Sequence, residues 1–343
     1  EKPHYKISKQ YFYSIGTDLI MLHFEPKDLT VPDVHRLLLG GVGPRPIALV
    51  STISSNGVPN LTPFSFFNAF GSNPPVIAFS PARRGKNATL KDTYNNIVQT
   101  RECVVHSVTY SMVEQVNLAS AEYPPEINEF IKSGLTPIDS DIVKPKRVKE
   151  SPFHMECKVR EIVNAGEGGS SANIIVCEVL KFHVAEDIFK NGIIHPDLID
   201  LVGRMSGSFY TRARGASIFE VERPQKLGIG YDMLPDYIKN SNIYSANNLG
   251  KFGKIDSIPS EEEVSQFICE VKDDQKKEFE MTEEAFFRYL TQNEYKKMLK
   301  VSLVLAGNPK LKTFLEMTAK CALEQNDLLF AWKTAVYAGN FNK

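Results

Sequence analysis

Alternation of apolar and polar positions organises the longer, N-terminal part of the chain. From Phe153 to Val159 the residues Phe153, Met155, Cys157 and Val159 fall at every second position, with His154, Glu156 and Lys158 between them. A period of two predicts a strand with one face buried. Pro46–Ile53 is apolar, Asn56-Gly57 is a strong hairpin turn, and Val58–Phe64 returns as a second strand. Val76–Ser80, Cys103–Val108 and Ile174–Val184 read as further strands, rich in β-branched residues. Short helices are expected at Val31–Leu39, stopped by Gly40-Gly41, at Val113–Ala121, and as a helix or turn across Ala88–Gln99. Many short strands at close spacing, with Gly, Pro and Asn turns, predict a mainly β fold with some α: a closed antiparallel barrel, not a βαβ sheet.

After about Pro224 the pattern changes to helices. Ser260-Glu-Glu-Glu263 is a capping-box sequence, and Thr282 followed by Glu283 and Glu284 places anionic charge on a helix start. Asn308-Pro309 reads as an N-cap with proline at the first helical position. The following stripe of Leu311, Phe314, Leu315, Thr318, Ala319, Ala322 and Leu323 has helical spacing. Residues 1–20 show little periodicity and read as an N-terminal extension.

Composition narrows the function classes. The 343 residues carry 40 basic and 41 acidic side chains, a formal net charge of −1. No global field would hold the protein on nucleic acid or an anionic membrane. Five scattered cysteines form no Cys-x-x-Cys and no zinc-like Cys/His spacing, which fits a reducing compartment. No apolar run is long enough for a transmembrane helix and no secretory leader is recognisable, so the cytoplasm is the expected location.

The richest chemistry lies between Gly40 and Thr93. Ser51, Thr52, Thr62, Ser65 and Asn68 are small polar groups on or beside strands, able to read the edge of a flat ligand or simply to occupy outward positions. Pro44, Pro46 and Pro63 fix the chain around them. Ser80, Arg83, Arg84 and Lys86 follow a strand end, and Lys91-Asp92-Thr93 comes near a possible helix start. Such a loop suits a phosphate, or is a solvated basic loop. Gly40-Gly41-Val42-Gly43 precedes a strand, which excludes a dinucleotide fingerprint, and no P-loop follows it. Asp139-Ser140-Asp141 is a weak metal hint without the rest of a calcium loop, and no metal site is expected. His106, His154 and His183 lie in strands and read as surface or core residues; His195, on a turn, is the histidine with some claim to a ligand.

Four segments together resemble the flavin reductase-like, FMN-binding split-barrel family, which includes flavoredoxin-like proteins. They are Arg45-Pro46-Ile47-Ala48-Leu49-Val50-Ser51-Thr52, Pro63-Phe64-Ser65-Phe66-Phe67-Asn68, Pro74-Pro75 and Lys91–Ile97, with Leu201-Val202-Gly203-Arg204 closing the region. The resemblance covers roughly residues 21–223 and leaves 224–343 as a mostly helical C-terminal extension. It implies a split β-barrel of antiparallel, Greek-key type, a homodimer, and FMN near the subunit interface. By the resemblance, residues around Ser51 and Pro63, Phe64 and Ser65 would meet the flavin, and Ser80, Arg84, Lys91, Asp92 and Thr93 its phosphate. Arg45, Pro46, Thr52, Thr62, Asn68, Arg83 and Arg204 complete the expected cofactor-binding set. The implied reaction is hydride transfer from NADH or NADPH to FMN, with electrons passing to a monooxygenase or an electron-transfer partner. The chemistry would be carried by the cofactor, with no catalytic side chain required. An FMN electron carrier without nicotinamide activity, or a flavin-free binding module, are the alternatives.

Overall fold

The computed structural model describes residues 11–12, 19–224, 226–273 and 282–342. Most of the expected N-terminal extension therefore lies outside the described residues. The chain forms two compact units, Glu1–Glu220 and Val221–Lys343.

The first unit is built on a seven-stranded antiparallel sheet. Its strands are β1 (Ala48–Ile53), β2 (Pro59–Phe64), β3 (Phe67–Ser72), β4 (Pro75–Phe79), β5 (Glu102–Ser107), β6 (Phe153–Asn164) and β7 (Asn173–Val184). The spatial order is β2-β1-β5-β6-β7-β4-β3. The Asn56-Gly57 turn joins β1 to β2, with Gly57 at φ +81°, a left-handed conformation that glycine adopts without strain. Beyond the sheet, β8 (Val202–Arg204) and β9 (Tyr210–Arg212) form a short hairpin, tied to the barrel by an antiparallel bridge between Arg45 and Arg204.

Alternation along β1 sends its side chains to two separate cores. Ala48 and Val50 join Phe79, Val105, Cys157 and Ile175 on one side. Leu49 joins Leu61, Met112, Val116 and Phe130 on the other. The second layer comes from the short helices α3 (Val113–Leu118) and α4 (Glu129–Ser133). Two further helices are α1 (Val31–Gly41), which Thr30 caps and which buries no residue, and α2 (Asp92–Thr100).

Strand β6 departs from the sequence expectation. His154 and Glu156, on the face expected to meet solvent, are buried. The segment before β6 folds back over them: Glu156 accepts hydrogen bonds from the N–H groups of Asp141, Ile142 and Val143 at 2.9, 2.7 and 3.0 Å.

The second unit is helical: α5 (Ala246–Phe252), α6 (Glu261–Asp273), α7 (Glu283–Thr291), α8 (Tyr295–Val304), α9 (Leu311–Glu324) and α10 (Leu328–Gly339). Ser260 and Glu263 form the reciprocal capping box, with bonds of 2.7 and 3.2 Å. All seven residues of the α9 stripe are buried. The helix nevertheless starts two residues after the expected first position, Pro309, because Asn308-Pro309-Lys310 turns first; the Asn308 carboxamide accepts from the Lys310 N–H and its NH₂ group reaches Glu283. Trp332 anchors this core, donating its indole N–H to the Phe252 carbonyl at 3.0 Å.

Candidate functional site

Two adjoining cavities open beside the β8–β9 hairpin. The smaller, about 200 Å³, is lined by Ile47, Pro63, Phe64, Ser65, Arg204 and Tyr210 among others. The larger, about 390 Å³, includes Tyr110, Val113, Glu114, Arg204, Tyr210 and Arg212. Asn117, Arg204 and Tyr210 belong to both walls. Pro63 is tolerated here because β2 is an edge strand, where a missing N–H breaks no ladder bond.

Lys91 connects the smaller cavity to the basic loop. Its ammonium stands 5.9 Å from the centre of the Phe64 ring and makes no ion pair among the described residues. Burial, and then the nearby Arg84, push its pKa below the usual lysine value. Lys91 is also the N-cap position of α2, where no side chain caps the helix. Nearby in sequence, the Ser80 hydroxyl and the Arg83 Nε are buried without hydrogen-bond partners among the described residues, while Arg83 Nη1 donates to the Ala88 carbonyl at 3.0 Å. Arg84 is more committed: it donates to the Leu90 carbonyl and lies 3.3 Å from Asp92 and 3.5 Å from Glu122.

The loop that carries these groups is stitched to the tip of the β6–β7 hairpin. The Arg83 N–H donates to the Ser171 carbonyl at 2.9 Å and the Ser170 N–H to the Arg83 carbonyl at 3.1 Å. Asn173 donates to the Pro81 carbonyl at 3.0 Å. The backbones meet so closely that a Cβ on Gly169 would stand 2.5 Å from the Gly85 oxygen.

Several residues expected at a ligand are not among those lining the two cavities. Arg45 is only 4% exposed and donates to the carbonyls of Leu39, Val42 and Met205 at 2.8, 2.5 and 3.0 Å. It ties the end of α1 to the segment after β8. Burial, and then Arg204, lower its pKa. Pro46 lies outside both cavity linings, between Arg45 and Ile47. The Ser51 hydroxyl donates to the Lys146 carbonyl at 2.5 Å. Thr52 and Thr93 both donate to the Asn60 carboxamide oxygen, at 3.2 and 2.7 Å, and Asn96 donates to Thr52 at 3.0 Å. Thr62 lies 3.5 Å from the Asn60 amide. Asn68 is exposed on β3 and accepts from the Ala69 N–H. His195 caps the short helix Pro196–Ile199 and lines neither cavity.

The hub of this buried network escaped the sequence reading. Glu129 accepts from the Asn60 amide and the Leu61 N–H, both at 3.0 Å, so one carboxylate pins α4 to β2. Burial raises its pKa, against the opposing pull of those hydrogen bonds. It stands in no motif and in no element predicted from the sequence. Tyr110, Asn117, Tyr210 and Arg212, which line the cavities, carried no motif either.

A second polar cluster crosses the sheet. His106, His154 and His183 are directly paired across β5, β6 and β7. His106 Nδ1 donates to the Leu49 carbonyl at 2.8 Å while its Nε2 accepts from the Val148 N–H at 3.0 Å, which defines a neutral ring. Burial lowers its pKa to about 3. His183 Nε2 lies 2.6 Å from Glu156. Ligand atoms of Asp141, Glu156 and His183 fall within 4.8 Å of one another. Lys181 and Arg147 already neutralise Asp141, and both Glu156 oxygens are taken, so the cluster works as a pin for the covering segment.

Residues 41–205 match the family described as the flavin reductase like domain. An uncharacterised protein of Aquifex aeolicus is 38% identical over 195 residues, which is 57% of this chain and 97% of that one. Among solved structures, nitrilotriacetate monooxygenase component B from Bacillus cereus is 33% identical, with a TM-score of 0.56, across 59% of this chain and 100% of that chain. The 2-nitrobenzoate 2-nitroreductase of Pseudomonas fluorescens is 26% identical, with a TM-score of 0.53, over 62% and 98%. No helix among the described residues is long and apolar enough to cross a membrane.

Proposed function

This chain belongs to the flavin reductase-like family, and from that premise we propose that it is an FMN-binding oxidoreductase, reduced by NADH or NADPH. The observation that carries the proposal is Lys91: a half-buried cation without an ion pair, set against Phe64 on the cavity wall. A buried charge in that state is costly unless an anion completes it. The orphan Ser80 hydroxyl and Arg83 Nε, beside an uncapped helix start, are the donors a phosphate would satisfy.

In this reading Lys91, Ser80 and Arg83 hold the phosphate and Arg84 shapes the loop around it. Pro63, Phe64 and Ser65 flank the ring system, with Arg204 at its far end. Bound FMN would supply the two-electron chemistry, while the chain positions it and sets its electrostatic surroundings. The fit supports a flavin without requiring an acid, base or nucleophile from the protein.

A second copy of the chain completes the proposal. Helix α1 buries none of its own residues and leaves Leu37 and Leu38 exposed. Edge strand β3 is open to solvent, with Phe70 69% exposed. An open sheet edge with an exposed phenylalanine, and a helix with exposed leucines, are surface that a homodimer would cover. The likeness to a monooxygenase component supports a monooxygenase as recipient of the reduced flavin.

The test is to load the full chain with FMN, remove free flavin, and follow the visible flavin absorbance anaerobically while adding NADH, then NADPH. Bleaching with either donor is expected and identifies it. Retained flavin that stays oxidised would replace the reductase with an electron carrier, and failure to retain any flavin would remove the support for the phosphate site.

A further inference from the structure

The flavin reading uses the smaller cavity and the basic loop, and leaves the larger cavity without an occupant. Its volume, about 390 Å³, is in the usual range of small-molecule sites. One wall comes mainly from one face of the β8–β9 hairpin, with Thr211 from the other. Pairing sets Val202 opposite Arg212 and Arg204 opposite Tyr210, so these four side chains share that face. Tyr110 and Val113 stand among the facing residues.

Two guanidinium–tyrosine stacks frame the cavity: Arg212 over Tyr110 at 3.8 Å and Arg204 over Tyr210 at 4.5 Å. The two arginines are not equivalent. Arg212 makes a bidentate pair with Asp200 at 2.7 and 2.6 Å, so its charge is answered. Arg214 also approaches Asp200, at 3.4 Å. Arg204 donates to the Gly207 carbonyl at 2.7 Å and has no carboxylate partner among the described residues. It offers the remaining edge of a flat cation at the junction of both cavities. The remaining charged side chain of the wall is Glu114, which is exposed. It disfavours a second negative charge on the ligand.

We propose that the larger cavity binds a planar organic monocarboxylate, an aromatic acid of about the size of benzoate, with its acid on Arg204 and its ring against the tyrosines. The guanidinium fork matches a carboxylate in shape and charge, and the stacked tyrosine holds that fork in one plane. Binding to the cavity does not depend on the flavin reading. Its role as the pocket of a second substrate does, because that role follows from the shared wall with the smaller cavity.

Calorimetric titration of the full chain with sodium benzoate and with neutral benzamide tests this, with and without FMN. Benzoate should bind better than benzamide and bind equally in both forms. Arg204→Gln should weaken benzoate about tenfold or more, as expected for loss of a charged hydrogen bond, and leave benzamide within about twofold. Arg204→Lys should fall between, keeping the charge and losing the fork. Equal binding of the two probes, or an unchanged benzoate affinity in Arg204→Gln, would overturn the assignment. Exclusion of benzoate by FMN would also overturn it, by giving the cavity to the flavin ring. Benzoate binding by a chain that retains no FMN would sink the flavin reading and leave this site standing.

Discussion

Replacing Lys91 with methionine should move two observables in opposite directions. In the ligand-free protein the ammonium is half-buried, unpaired and close to Arg84, and its pKa is lowered for those reasons. A folded-state pKa below the unfolded one means that the unfolded chain binds the proton more tightly. Stability therefore rises as pH climbs through the amine's titration range, and the penalty is fully present at neutral pH. Methionine keeps much of the length and the contact with Phe64 while removing the charge. The loss of a cation–π contact, worth about 0.5–1 kcal/mol near the 5.9 Å limit of its range, is the opposing effect. The ligand-free variant should thus melt at the same temperature as the parent or higher. Binding of FMN should suffer, since a charge-assisted hydrogen bond is worth about 1.5–3 kcal/mol, or roughly 10- to 150-fold in affinity. Riboflavin, which lacks the phosphate, should bind both proteins within about twofold. Flavin fluorescence titrations and thermal melts measure all three quantities. Equal losses for FMN and riboflavin, or a clearly less stable ligand-free variant, would refute the reasoning.

Glu156 provides an acid-stability test. Burial alone would raise its pKa, but the N–H donors of Asp141, Val143 and Ile142, together with His183, bring it down to about 2. A lowered carboxylate contributes stability above its unfolded pKa, near 4.5, and that stability is lost as pH falls towards 2. Glu156→Gln should flatten the loss seen by urea denaturation between pH 6 and pH 3; an unchanged acid limb would show that the pin carries no weight. For the proposed homodimer, Phe70→Asp should yield a monomer by light scattering while the barrel stays folded, and an unaltered mass would move the interface away from β3.

The barrel was legible wherever one strand face was buried or a turn was explicit. Asn56-Gly57 and the run before it predict the first hairpin because glycine is needed at positive φ there. Strand β3 was missed because Phe67–Ser72 is exposed along nearly its whole length and so shows no burial alternation. Strand β8 was legible only through the family resemblance of Leu201–Arg204, and β9 was missed, because three residues a side are too few for a period to register. At β6 the alternation was real, but its polar face was covered by a segment ending close before it in sequence. The polar residues of the site were visible as a set. Their division was not, because it depends on distant partners: Ser51 on Lys146, Thr52 and Thr93 on Asn60, and Asn60 on Glu129. Lys91 differs from its neighbours through what it lacks, an ion pair, and a one-dimensional sequence does not record that.

The stitching of residues 81–88 to the tip of the β6–β7 hairpin bears on the rate at which an anion arrives. Two backbone bonds at Arg83, the Asn173 clamp on Pro81 and the contact of Gly85 with Gly169 leave this loop little freedom to swing. A receptor already in its bound shape spends little conformational entropy on capture. Association should then follow simple second-order kinetics without a slow rearrangement, and differences in ligand affinity should appear in the dissociation rate. A phosphate held in this way leaves when its own contacts break, without waiting for a door to open.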